Sequence, residues 1–565
     1  MSTRSYFHGQ DFKPSNDYWA ETHAVENQPK VLENYNLFDA DQALQDAVNI
    51  HQGKWAQADL SHFGQICGSA DIIDWGFQAN ENKPVLFTHD RHGRRIDEVR
   101  FHPAYHQLMA LSMQEGLHAS HWLDPKPGAH VARAAKSFLM TQVEAGHGCP
   151  ITMTSAAIPT LKRQPNLFDS WAPKILHSDY DPRNISHLEK DSVTIGMAMT
   201  EKQGGSDVRM NSTRAYALGK GGPGEAYELV GHKFFVSAPM CDAFLVLAQT
   251  ETGVSCFLVP RWRPDGSKNP MQIQRLKNKM GNVSNASSET ELRGALGWMV
   301  GEEGRGVSAI LEMVAMTRFD CMIGSSALMR QAVAQITHHC DQRVAFGKKL
   351  SGQPLMQNVL ADLILESEAA TAFSFRLARA LDQSTENEQE KHLVRMGTAI
   401  GKYWICKRTP GHAYEAMECI GGSGVMEDSI MPRLFRESPI NTIWEGSGNV
   451  QCLDMLRAMH RTPGSLEAFL NEIHLAESKH PLISDSLLSL QQELKDQDTM
   501  EYRSRAIVEK MALLFQASTL LQYADPQVAD AFCQARLKDG NKGWVYGTLP
   551  ASVNCAALIQ RAKPS

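Results

Sequence analysis

The hydrophobic pattern changes period twice along the chain. In QALQDAVNIH and HVARAAKSFLMTQVEA, apolar residues recur every three to four positions, which predicts helices with one buried face. Pro-containing breaks separate such stretches up to about residue 185, and the weakly periodic first 20 or so residues read as an arm that docks elsewhere. From about 190 to 300 the runs shorten to SVTIGMAMT, AYELVGHKFFVSA, AFLVLAQT and VSCFLVPR. They are rich in Val, Phe and Thr and are bounded by turns such as GKGGPG and RPDGSKNP, so they predict a β-domain inserted in a helical chain. Helical spacing returns from about 305 in VSAILEMVAMTRFDCMIGSSALMRQAVAQITHH, PLMQNVLADLILESEAATAFSFRLARAL and HLVRMGTAIGKYWICKR. The last hundred residues, from SLEAFLNEIHLA to VNCAALIQRA, read as a separate helical domain. The predicted division is 1–188 (helical), 189–300 (β-barrel-like), 301–454 (helical bundle) and 455–565 (helical).

Composition adds limits to this picture. The 565 residues suit three to four domains at ~150 residues each, and 42% hydrophobic with 21% charged content is ordinary for a globular chain. No apolar run reaches transmembrane length, and the opening MSTRSYFHGQDFKPSNDYW lacks the apolar core of a secretory signal. The 11 cysteines are scattered without a CxxC pair, a pattern of reduced thiols and not of a disulfide frame or zinc site. The chain is therefore expected to be cytoplasmic, without a membrane segment and without a bound metal. A net charge of −7 argues against a strongly nucleic-acid-binding surface overall, though a local basic patch is compatible with it. Residues 455–565 hold 12 Lys+Arg and 12 Asp+Glu, a net charge of zero.

Several stretches could carry chemistry. GKGGPG, Gly219 to Gly224, matches GxGxxG, but Pro223 and the strand-like EAYELV follow where a dinucleotide fingerprint needs a helix, so it reads as a hairpin turn. MTEKQGGSD, Met199 to Asp207, leaves an apolar strand and turns on Gly204-Gly205; it could present N–H groups and the Thr200 and Ser206 hydroxyls to a flat polar ligand, or simply connect two strands. In RVAFGKKL, Arg343 could pair with a phosphate and Phe346 lie against an aromatic ring; the plain alternative is a helix end with Gly347 as its cap. AMECIGGSGVMEDSIMPRLFRE holds a second Gly-rich turn after a helix. His338, His339 and Cys340 do not converge on one ion from a helix and read as structural. In NTIWEGSGNVQCLDMLR, Val450, Leu453, Leu456 and Met459 recur at helical spacing, with Ser447 or Asn449 as candidate N-cap. Glu445 thus falls on a glycine-flanked turn at the positive end of a helix, where free N–H donors meet a ligand.

Taken in order, these pieces resemble the acyl-CoA dehydrogenase family, and more closely its alkylation-response, AidB-like branch. The closer likeness rests on FHPAYHQLM, CPITMTSAAIPTL, GMAMTEKQGGSDV, RLKNKMGNVSNASSE, MTRFDC and IWEGSGNVQCLDMLR. It implies a helical N-domain, a β-barrel middle domain, a four-helix bundle and an added helical C-domain. It implies FAD held by Met197, Met199, Thr200, Gly205 and Ser206 of one loop and by Phe235, Val236 and Ser237 of a second strand. Ile443, Trp444, Gly446, Ser447, Gly448 and Asn449 would meet the cofactor around the base, Glu445, while Arg343 and Phe346 would reach the FAD of a neighbouring subunit; Gly421 and Gly422, in IGGSG, which is similar to the stretch before the base, would also bind the cofactor. In the family reaction the glutamate takes a proton α to a thioester carbonyl and FAD takes the β-hydride. The branch further implies a homotetramer with a DNA-associated role. For DNA, the C-domain offers Arg503, Arg505, Lys510, Arg536, Lys538 and Lys542, either on one face or as a mixed-charge solvated surface. Three departures bear on activity. Trp444 stands where many members have Tyr, Pro354 follows Gln353, and Arg457 is a candidate partner that would keep Glu445 ionised and weaken it as a base.

Overall fold

The computed structural model describes residues 23–538 and 543–564, so the proposed N-terminal docking arm and Lys542 lie outside the described residues. Helices dominate before residue 176, among them Gln42–Ile50, Ala129–Val143 and Gly148–Leu161. The helical reading overlooked an antiparallel hairpin there, β1 (Val85–His89) and β2 (Arg95–Arg100). Its first strand buries no residue, so it carries little of the apolar alternation by which a strand is read. The hairpin is an outrigger of the β-domain, with Arg95 Nη2 donating to Ile273 O at 2.6 Å.

The β-domain comprises β3 (Ile195–Ala198), β4 (Arg214–Ala217), β5 (Ala226–Ser237), β6 (Ala243–Gln249), β7 (Val254–Pro260), β8 (Met271–Leu276) and β9 (Ser287–Val300). The path β6-β4-β5-β9-β7 returns to β6, so the sheet closes on itself as a barrel, with β3 and β8 added at its edges. GKGGPG is the loop between the antiparallel β4 and β5. Both β6 and β7 are almost wholly buried, which is why they read as continuous apolar runs.

Three long helices, Gly306–Gln342, Pro354–Gln383 and Glu388–Ile420, with Gly448–Arg461, form the bundle. The third outruns its sequence signal, because the pattern stops before Pro410 while the helix continues ten residues beyond it. Proline removes one helix bond. Burial of Trp404 and Ile405 before it, and of His412, Ala413 and Ala416 after it, holds the two flanks in line. The C-terminal helices are not separate in packing. Phe515 sits 4.3 Å from Phe373 and 5.2 Å from Phe469 between ring centroids, inside one apolar core shared with the bundle and the N-terminal helices. All 11 cysteines are free thiols. Among the described residues no helix is long and apolar enough to cross a membrane, and no three His, Cys, Asp or Glu are grouped to hold a metal.

The packed core encloses neutral histidines. Burial pushes His51 and His130 down to about 3 and His118 and His412 down to about 4, and lowers His106, His121, His187 and His339 as well. Unfolded histidine binds a proton below about pH 6.5, and these folded ones do not. Stability from them is therefore complete above that pH and is lost as pH falls toward the folded values. Five carboxyls raised by burial, Glu368, Asp382, Glu415, Glu437 and Glu445, work the opposite way and are outnumbered. The urea midpoint should hold nearly level between about pH 7 and 8 and drop steadily between pH 6.5 and 4.5. A midpoint that is flat or rising as pH falls through that window would contradict this.

Candidate active site

One wall of the site is the edge of the barrel. Phe234 N donates to Thr200 O at 2.8 Å, which ties the loop after β3 to β5. Beneath the loop, Lys233 Nζ meets Glu201 Oε1 at 2.8 Å with both side chains fully buried. Glu201 also accepts from the N–H groups of Ser212 and Thr213. Burial opposes ionisation of this carboxyl, but the Lys233 ammonium and these donors hold it well below the usual range. Met197, Met199 and Thr200 are half-buried along the cleft, and Gly205 and Ser206 are exposed. Strand alternation turns Phe235 outward and Val236 inward, so Val236 can offer a ligand only its backbone. Next on β5, Ser237 Oγ lies 3.4 Å from Ser287 Oγ, and Lys279 Nζ donates to that Ser287 hydroxyl at 3.0 Å. Lys279 couples in turn to Cys149, whose thiol burial pushes up to about 12 with help from the Glu445 charge.

The second wall is the Glu445 turn. Glu445 has φ 57° and Gly446 has φ 97°, conformations of the left-handed region. For a glutamate this costs about 1–3 kcal/mol and needs support from its surroundings. The support is a set of donors on three successive carbonyls. Lys402, 1% exposed, donates to Trp444 O at 2.8 Å and to Gly446 O at 2.6 Å. Arg318 Nε donates to Glu445 O at 2.8 Å, and Gln451 Nε2 reaches the same oxygen at 3.0 Å. Arg318 is itself fixed by Asp454 at 3.0 Å. The Glu445 carboxyl accepts from Thr317 Oγ1 at 2.8 Å. Burial raises its pKa, while the Thr317 bond and the Arg318 and Lys402 charges restrain the rise. The Trp444 indole is pinned beside it, Nε1 donating to Asn441 Oδ1 at 2.8 Å.

Some sequence expectations need correction here. Arg457 is exposed and does not pair with Glu445; the cations at the turn are Arg318 and Lys402. Ser447 occupies the N-cap position of Gly448–Arg461 without a side-chain bond to the helix, so its hydroxyl stays available. Asn449 instead accepts from Arg505 Nε at 2.8 Å. Ile443 is exposed, and Gly448 lies against the Tyr403 ring. Gly421 and Gly422 are exposed, with open space where a side chain would project. Gly347 is not a helix cap. It forms the tip, with Phe346, of a hairpin of β10 (Val344–Ala345) and β11 (Lys348–Lys349), where Phe346 is 98% exposed. Thr200 and Ser237 are half-buried at the barrel edge and Trp444, Glu445 and Ser447 half-buried at the bundle turn, while Phe346, Gly421 and Gly422 are exposed and Arg343 is half-buried against Asn27.

The residues present suit FAD. A slim Gly446, where a Cβ would strike Gln451 Nε2 at 2.8 Å, an uncommitted Ser447 hydroxyl at a helix start and half-exposed Thr200 and Ser237 are polar groups that could hold it. Sequence reading missed Thr317, Arg318, Asn441 and Lys402. A lysine amid the apolar AIGKYWIC of a buried helix was the available signal for the last. It also missed a relay of Ser112 Oγ, 2.9 Å from His147 Nε2, with His147 Nδ1 2.8 Å from Glu144 Oε2. That set resembles a hydrolase triad, but Ser112 and His147 have no exposure and no substrate reaches them.

A closed barrel set among helices, with a glutamate on a positive-φ turn at a helix start, agrees with the acyl-CoA dehydrogenase fold to which its family matches assign the chain. Residues 196–295 and 304–460 match the acyl-CoA dehydrogenase middle and C-terminal domains, and residues 27–182 match the adaptive response protein AidB N-terminal domain. The chain is 45% identical to AidB of Escherichia coli (strain K12) over 92% of its own length and 95% of that protein. It is 32% identical to acyl-CoA dehydrogenase family member 11 of Caenorhabditis elegans over 73% of its length and 68% of the relative's. Its fold superposes on C. elegans ACDH-11, solved in complex with C11-CoA, with a TM-score of 0.84 at 26% identity, covering 94% of this chain and 97% of that one. It also superposes on the apo form of Bd2924, with a TM-score of 0.81 at 29% identity over 88% and 99% of the two chains. The chain belongs to the acyl-CoA dehydrogenase family, in its AidB-like branch, and is an FAD-dependent oxidoreductase.

Replacing Lys402 with Met keeps the length of the side chain, leaves the Trp444 carbonyl without its side-chain donor and leaves Gly446 O to Gln451 Nε2 alone. Urea unfolding followed by circular dichroism should show a loss of about 1–3 kcal/mol. A loss under about 0.5 kcal/mol would show that the turn stands without Lys402.

Proposed function

We propose that the chain oxidises an acyl thioester to its enoyl thioester, with Glu445 as the base. The observation that carries this is the Glu445 carboxyl, raised by burial and held at a fixed bearing by Thr317 on a strained turn at a helix start. A raised carboxyl has the basicity to take a weakly acidic α-proton once ionised. Bound FAD supplies the acceptor for the hydrogen and two electrons that leave the β-carbon. The α-proton goes to a Glu445 oxygen, and the C–H electron pair left behind forms the new double bond as the β-hydrogen departs. Thr317 and Arg318 keep the carboxylate aimed, and Asn441 pins the Trp444 indole.

A homotetramer belongs to the same proposal. Phe346, almost wholly exposed on its hairpin, and the open Gly421 and Gly422 are suited to meet the flavin of a second copy. The AidB likeness also suggests a second reading, association with double-stranded DNA through the C-terminal helices as part of an alkylation-damage response. The basic residues singled out for it give little support. Arg503 pairs with Asp496, Lys510 pairs with Glu493, and Arg536 is 2% exposed in a buried network with Asp362 and Glu366, which removes it from any surface face. Arg505 and Lys538 remain exposed. The enzyme reading is the better supported.

Anaerobic titration of the yellow protein with acyl-CoAs of graded chain length tests it. At least one acyl-CoA should bleach the flavin, and Glu445→Gln should slow bleaching by at least ~10³-fold without altering the oxidised spectrum. Bleaching by none, or an unimpaired Gln variant, would overturn the assignment. The rate should rise with pH as Glu445 ionises. Thr317→Val removes a bond to the charged form, so this acidic limb should move to higher pH; an unmoved or lowered limb would contradict the role given to Thr317.

A further inference from the structure

The hairpin β10–β11 has only two residues in each strand, and its loop residues Phe346 and Gly347 have φ 52° and 76°. Two positive-φ residues match a tight two-residue turn, a conformation that glycine takes freely and phenylalanine does not. A lone hairpin of this length is marginal in water. Phe346 also gains nothing from packing within the chain, being 98% exposed. Something outside the hairpin must hold it in shape.

Gln353 Nε2 supplies part of this support by donating to Ala345 O at 3.1 Å, and the rest comes from a segment more than 300 residues earlier. The side-chain amide of Asn27 closes a ring with the backbone of Val344: Nδ2 donates to Val344 O at 2.8 Å, and Val344 N donates to Oδ1 at 2.8 Å. One side chain thereby does for β10 what a neighbouring strand would do. Asn27 itself has φ 53°, a conformation asparagine tolerates better than most residues, and Arg343 Nη1 donates to the carbonyl this exposes. Lys30 N donates to Gln342 Oε1 at 3.0 Å, and Lys30 O pairs with His338 Nε2 at 2.8 Å. These contacts run along the last turn of the helix that feeds the hairpin.

We propose that Asn27 is a positioning residue for the flavin contact made across the subunit boundary: it sets the hairpin that carries Arg343 and Phe346 before a partner's cofactor arrives. The inference rests on the reading that this hairpin reaches the FAD of a second copy. Ordering the hairpin in advance spares the complex that entropy on binding, so the role shows in cofactor affinity.

The test is FAD affinity of the apoprotein, read by quenching of flavin fluorescence, with the oligomeric state followed by sedimentation. Asn27→Ala should raise the Kd for FAD about five- to tenfold, the scale of two net hydrogen bonds, while sedimenting as the wild type does. Asn27→Asp keeps the acceptor and loses the donor, and should fall between. Phe346→Ala should raise the Kd as well. If Phe346→Ala raises the Kd and Asn27→Ala does not, the positioning role is wrong while the hairpin reading stands. If neither changes it, the hairpin reading fails and takes the inference with it. If Asn27→Ala dissociates the assembly, Asn27 is an assembly residue and the proposal is overturned.

Discussion

The ammonium of Lys402 is the contact on which the site depends. It is buried under a turn whose carbonyl oxygens at Trp444 and Gly446 both accept from it. Burying a charge is unfavourable unless its donors are met, and carbonyls converging on one ammonium are what a left-handed turn can offer. The turn needs the cation to hold Glu445 at positive φ, and the cation needs the turn. Arg318 extends the arrangement, joining the Glu445 carbonyl to Asp454, which also receives Arg395. The base is thus mounted on the bundle through its backbone, with one carboxylate oxygen bonded to Thr317 and, among the described residues, no hydrogen-bond donor at the other.

The opposite wall follows a similar logic. Glu201 and Lys233 form an ion pair under the loop after β3, and the loop's carbonyl at Thr200 locks onto β5. Each wall is therefore stiff by itself, and the space between them is set by how the barrel meets the bundle. The β8–β9 loop makes that joint, with Asn282 donating to the buried Glu437 and Ser284 Oγ donating to Glu144 at 2.8 Å. A chain that keeps three layers in register through buried polar contacts gains specificity of arrangement, since each such contact is costly to leave unmade.

Much of this was legible in the chain. Four barrel strands, β3, β5, β6 and β7, were legible as short Val- and Phe-rich runs, while β4, β8 and β9 were not singled out; the long helices were legible by their period, and Glu445 by glycines at the mouth of a helix. What was not legible came from distance in sequence. Thr317 lies 128 positions from Glu445 and Lys402 lies 42 from Trp444, so neither is suggested by local pattern. Arg457 was suggested because it is near in sequence, but it sits on the outer face of Gly448–Arg461, whose inner face is Gln451, Cys452, Asp454, Met455 and Ala458. The C-domain misled in a similar way. Arg536 counts as a surface charge by composition, yet it is drawn into the core by Asp362 and Glu366 from another helix. The role of Asn27 was hidden because an amide acting as a strand leaves no periodic trace.

The central claim is that this turn presents a working base to a thioester. Solvent deuterium uptake at the α-carbon of acetyl-CoA tests it directly, because that thioester has α-hydrogens and no β-carbon to oxidise. The account predicts uptake above the buffer rate with the FAD-loaded wild type, rising with pH, and none above buffer with glutamine at position 445. Uptake that survives that change, or no uptake by the wild type at any pH from 6 to 9, would contradict it.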